Sequence, residues 1–316
     1  ALGTKELRFE NVYDVFVDGV KVPSLNGKIR LKFGKDQKHF IEYKVRYNDE
    51  KTERELGELA AVKPKTETYK VKGETRLTMN IFLPNGKAKG GIMCIHGGGW
   101  QSDHAERFDR HCAYFAKNGL LAATVEYGLL GKENADVREL TKDCADALEY
   151  LRKKSRDISF VVLGESAGGY MATCLGNRNI LRKIAPGVEA AEGVIDINGI
   201  VDLKGKWRYG LEKTVSDKEF KRLLENFSPT DNVTDGDAPV YVLHGDADLI
   251  VDIRDSRCYV KKCMQAGIKA EIEELKGIDH AFLLFDYAYD NAFVLDTLKG
   301  LTNKIFEFFK FIISKK

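Results

Sequence analysis

Residues 161–170 read VVLGESAGGY, an apolar run that ends in a serine set between glycines. Val161, Val162 and Leu163 suit a buried strand, but a strand has no use for the spacing that follows. A chain that must turn sharply and hold a hydroxyl clear of its own backbone does. Glycines two before and two after the serine remove the Cβ atoms that such a turn would press together. The run matches the G-x-S-x-G strand–turn–helix pattern, which presents its serine, here Ser166, as a nucleophile at the end of a strand. A serine hydroxyl is weak at neutral pH, so the rest of the chain must supply a base, an acid and oxyanion donors.

The surroundings of this stretch repeat its strand-then-helix rhythm. GGIMCIHG, LLAATVEY, SFVVLG, GVIDING, PVYVLHG and KAEIEELKG read as strands. Between them lie helical patterns from about His104 to Asn118, from about Ala135 to Lys154, and in SAGGYMATCLGNR. Continuous apolar strands separated by amphipathic helices are what a parallel sheet covered on both faces requires. The expected fold class is α/β, a doubly wound and mostly parallel sheet. TYKVKG and LTMNIFLP add an antiparallel pair, and NKIFEFFKFIISKK, with Ile305, Phe308, Phe309, Ile312 and Ile313 at helical spacing, reads as a terminal helix packed on the sheet. Upstream, from about Leu7 to Tyr47, alternation and an Asp18-Gly19 turn signal point to two or three antiparallel strands. A charged connection containing Pro64 follows, so the expected organisation is a β-rich appendage over residues 1–65 and a catalytic domain over 66–316.

Six histidines compete for the role of base: His39, His96, His104, His111, His244 and His280. His280, in GIDHAF, follows the last strand, and the loop there returns over the strand ends where the serine is exposed. The acid belongs on the loop after the preceding strand, HGDADLIVD, where Asp246, Asp248 and Asp252 compete. Asp248, on the spacing H-G-x-x-D, is the choice and Asp252 the reserve. The order Ser166, Asp248, His280 is the one this fold uses. Oxyanion donors are expected from the N–H of Ala167 and from the glycine-rich HGGGW, residues 96–100, through Gly97 and Gly98, with His96 bracing that loop. Glu165 points away from the serine in a formed elbow, and Asp196 and Asp202 read as loop and capping residues.

The bulk composition narrows the partners. The 316 residues carry 50 Lys and Arg against 48 Asp and Glu, a net charge of +2, too balanced to build the field that nucleic acid or an anionic membrane needs. No run approaches the roughly 20 apolar residues of a spanning helix, so the chain reads as soluble. Six scattered cysteines show neither C-x-x-C nor Cys/His zinc spacing and read as reduced structural thiols. The expected setting is cytoplasmic, with secretion after removal of a leader left open because the chain begins at Ala1. No metal or organic cofactor is implied.

HGGGW, GESAGG, HGDADLIV and DHAF, in that order and on those elements, resemble the α/β-hydrolase superfamily. The likeness is to its esterase branch, similar to hormone-sensitive lipase and to bacterial feruloyl and acetyl esterases. It covers the chain from about Thr66 onward. Two positions depart from the pattern: Asp279 stands where glycine is frequent, and Asp252 where proline is. The resemblance implies a serine carboxylesterase acting on small acyl esters, with acetylated or feruloylated plant sugars as the natural class. Trp100, and Trp207 and Tyr209 in the insertion at residues 204–227, are the expected substrate contacts, each with packing as the competing role. Aryl formamidase or small-peptide hydrolase is the rival among enzymes. A hydrolase-like binding protein without catalysis is the rival outside them, and assembly into a homo-oligomer is left open.

Overall fold

A computed structural model describes residues 3–8, 12–17, 20–22, 28–33, 41–45, 49–131, 136–204, 216–285 and 291–314. The chain divides into two compact units, Ala1–Glu58 with Ala281–Thr297, and Leu59–His280 with Leu298–Lys316. The first unit holds β1 (Gly3–Arg8), β2 (Val12–Val17), β3 (Val20–Val22), β4 (Lys28–Phe33) and β5 (Ile41–Val45). β1 pairs antiparallel with β4, and β2 lies between β3 and β5, also antiparallel. Val17 faces Val20 across the Asp18-Gly19 step. Among the described residues five strands thus stand where the periodicity suggests two or three, because β1 and β3 are too short or too polar to alternate clearly. Helix α1 (Glu50–Ala61) occupies the charged connection.

The second unit is built on an eight-stranded sheet. Two antiparallel strands, β6 (Lys65–Lys72) and β7 (Thr75–Phe82), form one edge. Six parallel strands follow: β8 (Gly91–Ile95), β9 (Leu121–Val125), β10 (Phe160–Glu165), β11 (Gly193–Ile197), β12 (Val240–Gly245) and β13 (Ala270–Leu275). β8 to β12 are buried throughout, which is why they read as continuous apolar runs, whereas edge strand β13 alternates charged and apolar residues. The connecting helices are α2 (Asp109–Lys117), α3 (Val137–Lys154), α4 (Ala167–Gly176), α5 (Arg178–Ile184), α6 (Asp217–Phe227) and α7 (Ile253–Gln265). The expected helix at His104–Asn118 is split into a 3₁₀ turn at Ala105–Phe108 and α2.

Strand order is β13-β12-β11-β10-β8-β9-β7-β6. The chain runs outward from β8 to β9, then returns to the other side of β8 to begin β10. That reversal opens a crevice beyond the C-terminal ends of β8 and β10, the place where open α/β sheets bind ligands. HGGGW follows β8, and the serine elbow follows β10. The closing part of α8 (Asn291–Ser314) covers the sheet through Ile305, Phe308 and Phe309. Gly90 and Gly193 make room for those rings: a Cβ on Gly90 would lie 2.3 Å from the Phe309 ring.

Candidate active site

The turn from β10 into α4 places Ser166 at φ 55° and ψ −119°, a conformation that β-carbon sterics make costly for any residue but glycine. The neighbouring glycines make the turn possible. A Cβ on Gly164 would lie 2.1 Å from the Gly168 carbonyl oxygen, and one on Gly168 the same distance from that of Ile95. Two backbone bonds fasten the strained residue to the next strand and the loop after it: Ser166 N–H donates to Ile197 O (2.9 Å) and Ile200 N–H to Ser166 O (3.2 Å). Ala167 opens α4, so its N–H belongs to the first turn, which has no partner within the helix.

The HGGGW loop runs alongside. Gly97 is in contact with Ser166, and Gly98, at φ +89°, reverses the chain so that Gln101 and Ser102 N–H both donate to its carbonyl. His96 is fully buried and stacks on Tyr127 at 4.2 Å, its Nδ1 3.1 Å from Gly97 O. Burial pushes the His96 imidazole down to about 3, so it stands neutral as a brace. The Tyr127 hydroxyl lies 2.9 Å from His96 O and 2.8 Å from Gly97 O and shares its single proton between them. Trp100, expected to contact substrate, is 1% exposed and packs edge-on against Tyr170. In this structure the ring is part of the core cluster and not open to substrate.

On the other side of Ser166, the loop after β12 brings Asp248 to His280. Asp248 Oδ2 accepts from His280 Nδ1 at 2.7 Å, and Oδ1 accepts from Ile250 N–H (2.8 Å) and Val251 N–H (2.9 Å). Burial pushes this carboxyl up, but hydrogen bonds from His244 and His280 outweigh burial and hold it well below the usual carboxylate range. The competing aspartates are otherwise engaged. Asp252 caps α7 by accepting from Arg254 N–H, and Asp246 accepts from Gly277 N–H at 2.6 Å. Asp279 accepts from His280 N–H (2.7 Å) and Leu249 N–H (3.3 Å), tying the two loops together.

Residues that the sequence reading passed over also converge here. The buried amide of Asn198, at φ 41°, lies 3.2 Å from His280 Nδ1. Among the described residues the non-glycine positions with positive φ are Trp100, Asp103, Ser166, Asn198 and Ala281, and the first four follow the C-terminal ends of β8, β10 and β11. Strain collected at one end of a sheet marks a site whose geometry the surrounding fold enforces. Asp196, expected as a loop or capping residue, instead sits in β11, fully buried against Gly169 and Gly199. Burial pushes both Asp196 and Glu165 up to about 7. Asp202 does serve the loop, accepting from Lys204 N–H and from the Ser228 hydroxyl.

Of the insertion at residues 204–227, α6 is described, while Trp207 and Tyr209 lie outside the described residues. Arg138 bridges Asp136 and Glu219, and Tyr170 donates to Phe227 O, so α6 is fastened to α3 and to the elbow helix. All six cysteines are free, five of them buried and Cys258 exposed. Among the described residues no three His, Cys, Asp or Glu side chains are grouped as metal ligands, and no helix is long and apolar enough to cross a membrane. A cleft of about 960 Å³ between Arg152, Arg178 and Phe311 opens at the N-terminal ends of β10 to β12, the end of the sheet away from Ser166.

The BD-FAE family model matches residues 79–263, from β7 to α7, a span that includes Ser166 and Asp248. The chain belongs to the BD-FAE family. BD-FAE is an esterase family of the α/β-hydrolase fold, and this chain is accordingly a carboxylic ester hydrolase. Its architecture is similar to that of esterase 2 from the planctomycete Thermogutta terrifontis. The native form of that thermophilic esterase is 23% identical with a TM-score of 0.66 over 77% of this chain and 91% of that one. Its apo form is 24% identical with a TM-score of 0.68, over 77% and 94%. Its sarin-phosphonylated form is 22% identical with a TM-score of 0.68, over 77% and 93%. At these identities the likeness is one of fold. Comparison with curated protein sequences returned no match.

Proposed function

We propose that this BD-FAE esterase is a serine carboxylesterase of short acyl esters, with Ser166 as nucleophile, His280 as base and Asp248 as the acid that orients it. The observation that carries the reading is the 2.7 Å contact between Asp248 Oδ2 and His280 Nδ1, made on the same end of the sheet as the strained Ser166. A carboxylate is an acceptor only, so Nδ1 holds the proton in that contact and Nε2 is left as the base. In the reaction, Ser166 Oγ attacks the ester carbonyl while Nε2 takes its proton. The C–O bond to the alcohol then breaks, and the alcohol leaves with that proton. Water repeats the sequence on the acyl-enzyme, releasing the acid and restoring Ser166. The N–H groups of Ala167 and of Gly97 or Gly98 are the donors for the tetrahedral oxyanion, and each such donor is worth about 2.7–4 kcal/mol.

Short acyl groups are favoured because the insertion at residues 204–227 is short for a cap that would shelter a long chain. The Thermogutta esterase has been seen with propionate and with butyrate bound, which supports the same size class. Acetyl or feruloyl esters of plant carbohydrates are the proposed natural substrates, and residues 66–316 the proposed catalytic domain. Hydrolysis of p-nitrophenyl esters from acetate to palmitate, by the wild type and by Ser166→Ala, tests the reading. Fast cleavage of the short esters, lost by several orders of magnitude in Ser166→Ala, is expected. Activity that survives in the variant would overturn the assignment.

A further inference from the structure

His244 is the penultimate residue of β12 and is fully buried. Its Nε2 lies 3.2 Å from Asp248 Oδ2 and 3.2 Å from the Val251 carbonyl, and its Nδ1 lies 2.9 Å from the Ser256 hydroxyl. Both groups within reach of Nε2 are acceptors, so Nε2 carries a proton and donates, and Ser256 completes the second nitrogen. Asp248 Oδ2 therefore accepts a hydrogen bond from His280 and has the single Nε2–H of His244, which it shares with the Val251 carbonyl, 3.2 Å away on its other side, while Oδ1 receives two backbone N–H groups.

We infer that His244 is a positioning residue for the triad: it fixes the Asp248 carboxylate so that Oδ2 faces His280 Nδ1. The inference rests on the triad reading above. A buried strand end is filled more cheaply by an apolar side chain, since an unpaired imidazole there costs its desolvation. Here both ring nitrogens are engaged, and one of them is spent on Asp248. Other titratable groups around the ring are Asp196 on β11, Asp252 and Asp255 at the start of α7, and Glu274 on β13. Asp252 and Glu274 are paired with Arg254 and Arg257. Around His280 stand Asp248, Glu165 and Asp279. No cation among these is bonded to Asp248, so its charge is met by the two rings and the two N–H groups. Without the His244 donor, the carboxylate charge is less dispersed. The Asp248–His280 pair then holds an added proton on Nε2 more tightly, and the acid limb of the rate profile moves to higher pH.

Two amides one methylene apart test this on the full-length enzyme. His244→Gln keeps a donor long enough to reach Asp248, and His244→Asn keeps a buried amide that falls short of it. With p-nitrophenyl acetate, His244→Asn is expected to lose at least about tenfold in kcat with KM within about twofold, and to move the acid limb of kcat/KM up by about half a pH unit or more. His244→Gln is expected to recover most of the rate and the wild-type limb. An unmoved limb in a folded His244→Asn, or equal losses in both variants, would overturn the inference. If His244→Asn shows no cooperative melting transition, Ser256→Ala is read by the same limb, and an unmoved limb there overturns it too. A fluorophosphonate that labels the wild type but not Ser166→Ala separates this failure from failure of the triad reading itself.

Discussion

Gly97 stands so close to Ser166 that a Cβ built on it would lie 3.2 Å from the Ser166 Cβ and 3.1 Å from the Glu165 carbonyl oxygen. The neighbours on that side are the elbow's own backbone and first side-chain carbon, which cannot yield without moving Ser166, the proposed nucleophile. Gly97→Ala therefore pushes the HGGGW loop away by a few tenths of an ångström, while oxyanion donors act only within about 2.7–3.1 Å of the developing charge. The expected outcome is a fall in kcat/KM of about a hundredfold with little change in melting temperature, read from steady-state kinetics and thermal melting of the same preparation.

Tyr127→Phe tests the support beneath that loop. The hydroxyl shares its single proton between two successive carbonyls, His96 and Gly97, in a fully buried setting. Its removal leaves both oxygens without that donor, at a cost of about 1–3 kcal/mol. The variant should unfold at lower urea concentration and, because the loop loses its anchor, lose activity beyond what its remaining folded fraction explains. Unchanged activity in the folded enzyme would mean that His96 stacking alone suffices.

The elbow itself can be challenged through Gly168. A Cβ there would lie 2.1 Å from the Ile95 carbonyl oxygen and 2.5 Å from that of His96, both backbone atoms. Gly168→Ala should cost at least about 1–3 kcal/mol through overpacking. Gly99→Ala is the control: nothing lies within 4 Å of its Cβ position, and only its φ of +59° opposes the change. That penalty is about 1–2 kcal/mol. Urea midpoints of the two variants, compared with the wild type, should rank Gly168→Ala as the more damaging.

What the sequence discloses follows from how local each signal is. The elbow, the glycine loop and the H-G-x-x-D spacing are contiguous, and the turn geometry that requires them acts over a few residues. In the structure Asp248 faces His280, whereas Asp252, four residues further along the same loop, is taken by the α7 cap. Asn198, Tyr127 and His244 act on this site through side chains carried by three different strands' ends. No pattern in their own neighbourhoods says which ring or carboxylate they will meet. Asp196 shows the opposite error. Beside Asn-Gly it looks like a turn residue, but pairing of β11 between β10 and β12 carries the strand through it. Trp100 was legible as part of the loop and not in its direction, because a positive φ at a tryptophan leaves no trace in composition.

That buried Asp196 has a measurable consequence for stability. Its carboxyl is pushed up to about 7 by burial, so between its ordinary value of 3.8 and about 7 the folded state holds a proton that the unfolded chain has released. Stability from this group is therefore full at low pH and falls as pH rises through that window, by about 1.4 kcal/mol per pH unit at most. Glu165, also raised to about 7, acts in the same direction, while His96, lowered to about 3, acts in the opposite direction below about pH 6.5. Asp248, held well below the usual range, is ionised in both states above about pH 5 and contributes no slope from there upward. The total profile thus mixes opposing groups, and the difference between wild type and Asp196→Asn isolates one of them. Urea unfolding of both proteins from pH 5 to pH 8 should show the wild type losing stability relative to Asp196→Asn up to about pH 7 and running parallel to it above. A constant difference across the whole range would mean that Asp196 is ionised in the folded protein, with its charge met by backbone dipoles around Gly199 and the α4 N-terminus.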